Sequence, residues 1–88
     1  MLSIRTYKRF EKEYALAKKR KKDMLKLGEV VKLLQLSQPL PEKFRAHRLS
    51  GKWESFLECH IEPDWLLIYR ITETHLELVR TGTHSDLF

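Results

Sequence analysis

One cysteine, Cys59, stands in the whole chain, so no internal disulfide can form. Three glycines and three prolines are too few for an extended disordered chain, and no internal repeat or linker divides the sequence. No apolar run approaches the roughly 18 residues of a membrane span, and the opening MLSIRTYKRF carries charge by its fifth residue and lacks the apolar core of a secretory signal. A cytoplasmic protein with no membrane partner is expected. What these absences leave is one domain, residues 1–88, long enough to bury a single modest core.

The charge that is present is unevenly spread. The formal net charge is +5, yet residues 1–44 carry 12 Lys and Arg against 5 Asp and Glu, while residues 45–88 carry 5 against 7. All four histidines, His47, His60, His75 and His84, fall in the second half. The first half is suited to meet an anion. The second is suited to move protons, because imidazole titrates near neutrality without special help.

A short strand over Leu2–Arg5 precedes Tyr7, Phe10, Tyr14 and Ala17, which recur at helical spacing among charged residues and predict an amphipathic helix. The basic run Lys18-Lys19-Arg20-Lys21-Lys22 follows as an elbow. Asp23 then caps a second helix with the apolar stripe Met24, Leu27, Val30, Val31 and Leu34. Pro39 and Pro41 are expected to end it, and a loop should run through His47 to Gly51. From Lys52 the pattern turns to strands: KWESFLECHI, DWLLIYRI and HLELVRT. With turns at Pro63-Asp64 and at Thr72–His75, these make a three-stranded antiparallel meander whose most apolar run lies centrally.

Pairing the last two strands around Glu73-Thr74 sets Ile71 opposite Leu76, Arg70 opposite Glu77 and Tyr69 opposite Leu78. Continued outward, that register puts Asp64 and Trp65 beside Gly82 and Thr83, and the Pro63 turn folds His60 back onto the same end. His60, Asp64 and His84 should therefore meet. Alternation places His60 on the polar face of its strand with Glu54, Phe56 and Glu58, and Cys59 on the opposite face.

Two imidazoles and a carboxylate at one rim suit proton transfer. RNA brings its own nucleophile, the 2′-hydroxyl, so a protein cleaving it needs only a base, an acid and support for the developing charge. No metal or cofactor is required. Trp65 and Phe88 can stack on unpaired bases, and the run Lys18, Lys19, Arg20, Lys21 and Lys22 can meet phosphates. Plainer readings stand beside these. Trp65 suits a core as well as a platform, the basic run suits a solvated helix connection, and His75, in a turn, is assigned nothing.

The string His47-Arg48-Leu49-Ser50-Gly51-Lys52-Trp53, with His60-Ile61-Glu62-Pro63-Asp64-Trp65-Leu66-Leu67-Ile68-Tyr69 and Arg80-Thr81-Gly82-Thr83-His84-Ser85-Asp86-Leu87-Phe88, closely resembles the YafQ branch of the RelE/ParE toxin superfamily. The resemblance spans essentially the whole chain and is most specific over residues 47–88. It implies an α+β, RelE-like fold, with an N-terminal short strand and helical hairpin packed on a small antiparallel sheet. It also implies a bacterial type II toxin, a ribosome-dependent endoribonuclease that cuts mRNA in the ribosomal A site and is restrained by a cognate antitoxin. Carried over residue by residue, His47, His60, Asp64 and His84 match catalytic positions, and Trp65 and Phe88 match positions tied to mRNA handling. An acidic antitoxin suits the positive first half. The alternatives are a relative of the same fold that binds RNA or a protein partner without cutting, and a plain RNA-binding module.

Overall fold

The computed structural model describes all 88 residues, Met1–Phe88. Strand β1 (Ser3–Thr6) leads into helices α1 (Lys8–Lys19) and α2 (Met24–Gln35). A 3-10 turn (Glu42–Phe44), strand β2 (His47–Arg48) and a second 3-10 turn (Gly51–Trp53) follow. The meander β3 (Leu57–Glu62), β4 (Trp65–Ile71) and β5 (His75–Gly82) ends in one helical turn, α3 (His84–Leu87). The sheet order is β1-β5-β4-β3-β2, with β1 parallel to β5 and the other pairs antiparallel. It is thus a five-stranded mixed sheet rather than a purely antiparallel one, and the apolar β4 is its central strand. No helix is long and apolar enough to cross a membrane.

Both helices lie on one face of this sheet. Phe10 and Ala17 of α1, with Leu27, Val30 and Leu34 of α2, pack against Cys59, Ile61, Trp65, Leu67, Tyr69, Leu76 and Leu78. The alternate residues of β4, Leu66 and Ile68, face the other way into a smaller cluster with Val79 and Leu87, covered by Leu49, Trp53 and Phe56. A strand buried on both faces needs apolar residues at every position, which is why WLLIY carries no polar alternation.

The helix boundaries follow local chemistry. The Asp23 side chain accepts the Leu25 N–H at 3.1 Å, as a capping aspartate should. The second helix, however, stops before its prolines. Ser37 takes a left-handed conformation (φ 56), the Ser37 N–H reaches the Leu34 carbonyl and the Gln38 N–H reaches Leu33, so paired backbone bonds close the last turn. The same device closes α1 at Lys21 (φ 60), with Lys22 N–H on Ala17 and Lys21 N–H on Lys18.

Two further expectations are corrected. The stretch from Lys52 to Phe56 is a turn rather than strand, and the supposed loop at His47 is strand β2, which pairs His47 with Glu58 and Arg48 with Leu57. In the last hairpin, Ile71, Arg70 and Tyr69 do face Leu76, Glu77 and Leu78, but Ile68 then faces Arg80. Val79 is the extra residue of a β-bulge, and every pair beyond it shifts by one, so that Leu66 meets Gly82. Trp65 and Asp64 therefore sit one place further along β5 than the unbroken register predicts.

Candidate active site at the rim of the sheet

Three chain segments deliver the titratable groups. The β3–β4 hairpin carries His60 on its first strand and Asp64 in its turn, the capped turn after β5 carries His84, and β2 carries His47. The rings of His60 and His84 lie 5.7 Å apart between centroids, and those of His47 and His60 lie 6.3 Å apart. The predicted meeting of His60, Asp64 and His84 is present in the structure, and β2 brings His47 to join them.

His84 is held through its own backbone and ring. The Asp64 Oδ1 accepts the His84 main-chain N–H at 2.9 Å and faces the ring Nδ1 at 2.6 Å. A carboxylate can only accept there, so the ring proton sits on Nδ1 and Nε2 is left for proton exchange. These two bonds, the backbone one foremost, hold the Asp64 carboxyl below its ordinary value. Thr83 caps the turn: its hydroxyl accepts the Asp86 N–H while Asp86 accepts the Thr83 N–H, a reciprocal pair. Gly82 makes room for this. A Cβ on it would stand 2.9 Å from the Asp86 Cβ.

His47 is oriented differently. Arg45 adopts a left-handed conformation (φ 48, ψ 46) after the 3-10 turn, a backbone state that costs a non-glycine residue about 1 kcal/mol. Buried Phe44 anchors that turn. The strained bend aims the Arg45 carbonyl at His47 Nδ1, 2.8 Å away, and so places the proton on Nδ1. His47 Nε2 then faces Glu58 Oε1 at 3.3 Å, and His60 Nε2 faces the same oxygen at 3.7 Å. Glu58 is the residue that reading the sequence for a site overlooked. Its side chain is only 7% exposed, and its carboxylate stands where a negative charge favours the protonated form of either ring. Its position at i−2 from His60, on the same face of the strand, was the available signal.

The aromatic expectations divide. Trp65 is 1% exposed, its indole N–H donating to Thr81 Oγ1 at 3.0 Å, and that hydroxyl donating in turn to the Leu66 carbonyl at 2.7 Å. Its ring is a core element with no face open to a base, which corrects the platform reading. Phe88 is exposed and stands edge-on to Trp53, 6.5 Å between centroids. The basic run divides too: Arg20 and Lys22 contact carboxylates, whereas Lys18, Lys19 and Lys21 extend into solvent. A groove of about 1010 Å³ opens beside His60, Asp64 and His84, with Lys26, Lys43 and Arg45 on its walls.

Residues 2–88 match the family model described as the bacterial toxin of type II toxin–antitoxin systems, YafQ. The chain belongs to the YafQ family. The mRNA interferase toxin YafQ of Escherichia coli K12 is 45% identical over 80 residues, spanning 90% of this chain and 87% of that protein. The crystal structure of YafQ from E. coli BL21(DE3) superposes with a TM-score of 0.94 at 40% identity, covering 100% of this chain and 99% of that one. YafQ in the E. coli DinJ–YafQ toxin–antitoxin complex superposes at 0.91 and 42% identity, covering 99% and 97%. The α+β architecture is therefore that of the YafQ toxins, and the rim described above is the rim of a YafQ fold.

Proposed function

We propose that the protein is a cytoplasmic endoribonuclease that cleaves mRNA on the ribosome by general acid–base catalysis, with the substrate's 2′-hydroxyl as nucleophile, and that a cognate acidic antitoxin restrains it. The observation that carries this reading is the convergence of His47, His60 and His84 at one rim, each group of rings backed by a carboxylate. His60, or His47 through its unprotonated Nε2, takes the 2′-hydroxyl proton, and the Glu58 carboxylate beside both Nε2 atoms favours the charged ring that results. The freed oxygen attacks the adjacent phosphorus, the bond to the departing 5′-oxygen breaks, and His84 Nε2 delivers a proton to that oxygen. The ring that delivers it is the doubly protonated imidazolium, whose Nδ1–H Asp64 holds and whose charge the Asp64 carboxylate stabilises. Once Nε2 has given up its proton, Asp64 keeps the remaining one on Nδ1.

The chemistry supplies two of the three needs of such a site, a base and an acid, and the cations lining the groove supply charge for the phosphate. Phe88, exposed beside Trp53, offers a face to an unpaired base. The antitoxin part of the reading is supported by family membership and by the positive charge of the first half. The test is cleavage of a translated message by purified protein with ribosomes. His60→Ala and His84→Ala should each lose about 100-fold or more in rate. Full cleavage by both variants removes the proposal.

A further inference from the structure

Five consecutive cations form the elbow between α1 and α2, and the backbone sorts them. Because Lys21 is left-handed, the chain doubles back there, leaving Lys18, Lys19 and Lys21 exposed while Arg20 and Lys22 reach toward the rim. Arg20 Nη1 donates to Asp86 Oδ2 at 2.9 Å. Lys22 Nζ stands 3.7 Å from Glu62, which also accepts from Lys26 Nζ at 3.0 Å. The two carboxylates lie on two different segments: Glu62 ends β3 between His60 and Asp64, and Asp86 sits in α3 two residues beyond His84. Asp86 Oδ2 is shared between Arg20 and the Thr83 N–H that starts the His84 turn.

We infer that the elbow is a clasp, in which Arg20 and Lys22 are positioning residues that hold the His60–Asp64 turn and the His84 turn at their working separation, leaving Lys18, Lys19 and Lys21 for RNA phosphates. The inference rests on the ribonuclease reading above. Independent anchoring comes from Glu13 of α1, which takes the Arg80 guanidinium in a two-bonded pair (3.2 and 2.6 Å) and the Thr81 N–H at 3.3 Å, while Arg80 also donates to the Asp86 carbonyl. The half of the fold that carries no titrating imidazole thus grips both ends of the half that does. Exposed ion pairs add little to stability. Reaction rates respond more sharply, since a displacement on the order of 1 Å at reacting groups slows them markedly.

The experiment is steady-state cleavage of a translated message, paired with nitrogen-15 shifts of the His84 ring. Arg20→Ala should lower kcat about tenfold with KM within about twofold and the fold intact. Arg20→Lys, which keeps a donor for Asp86, should recover most of the rate. The double variant Lys19→Ala with Lys21→Ala should instead raise KM and spare kcat. In Arg20→Ala the His84 signals should move from a pure Nδ1-protonated pattern toward a mixture of tautomers. The clasp is overturned if Arg20→Ala changes KM alone, as the lysine double variant does, or if its rate and His84 signals equal those of the unaltered protein. If the unaltered protein cuts no message, the ribonuclease reading fails instead, and the ring-nitrogen signals still decide the clasp.

Discussion

Asp64 and Glu58 each face an imidazole, yet the first carboxylate is two-thirds exposed and the second almost wholly buried. Asp64 is ordered by what it accepts, a main-chain N–H and a ring N–H from one residue, and water can replace much of what it loses. Glu58 has no such reserve. Its oxygen faces Nε2 of two rings, and a neutral group in its place takes away the carboxylate that the partly buried His60 ring faces. One side of the rim is therefore a tautomer-setting pair at the surface, and the other is a buried carboxylate facing two imidazole nitrogens.

The largest effect should come from the buried side. Glu58→Gln should slow cleavage about 100-fold and also lower the thermal midpoint, measured by single-turnover kinetics and calorimetry on the same sample. Asp64→Asn keeps an oxygen that can accept both His84 bonds, so it should cost only about tenfold and leave the midpoint nearly unchanged. The reverse ranking would dissolve the contrast between the two sides. A smaller effect belongs to salt. If three elbow lysines meet phosphates, the logarithm of the ribosome association constant should fall against the logarithm of salt with a slope contribution of about −2 to −3; a contribution of about −4 would mean that all five cations do so.

Acid titration sharpens the comparison without touching the rate. The folded value of Asp64 is depressed, so the stability of its pair is complete above the ordinary carboxylate range and is lost only as pH falls through the lowered value. The Nδ1–H signal of His84 should then persist through about pH 4, where an ordinary aspartate is half protonated. Disappearance at a milder pH would show that the pair is not formed in solution. The smallest effect concerns Cys59, on the opposite face of Glu58's strand, where burial first and the Glu58 charge second push the thiol up to about 12. The neutral thiol is favoured in the fold, so its contribution is complete below the unfolded value and erodes as pH rises toward 12. A water-soluble disulfide reagent should label it only after denaturation, with activity unaltered throughout.

Much of this arrangement could be read from residue order. The pairs Ile71–Leu76, Arg70–Glu77 and Tyr69–Leu78 followed from a two-residue turn and matched side chains, and the Asp23 cap from its place before an apolar stripe. The bulge at Val79 was hidden because an extra apolar residue in an apolar strand leaves no mark on the pattern, and only the small cluster with Leu66, Ile68 and Leu87 gives it a reason. Strand β2 was hidden because two residues make no period. The burial of Trp65 depends on Thr81, sixteen residues away, which offers its indole a partner and lets the ring enter the core. Likewise, the sorting of the basic run turns on one left-handed residue, Lys21, that composition does not announce.

Gly82 has no side chain to take part in the reaction, and its neighbour Asp86 leaves no space for even a methyl group. In a genetic screen for cells that survive making this toxin, replacements at codon 82 should accumulate alongside those that delete an imidazole. Survivors of that kind would carry every reactive group intact, and would owe their growth to a turn that can no longer close.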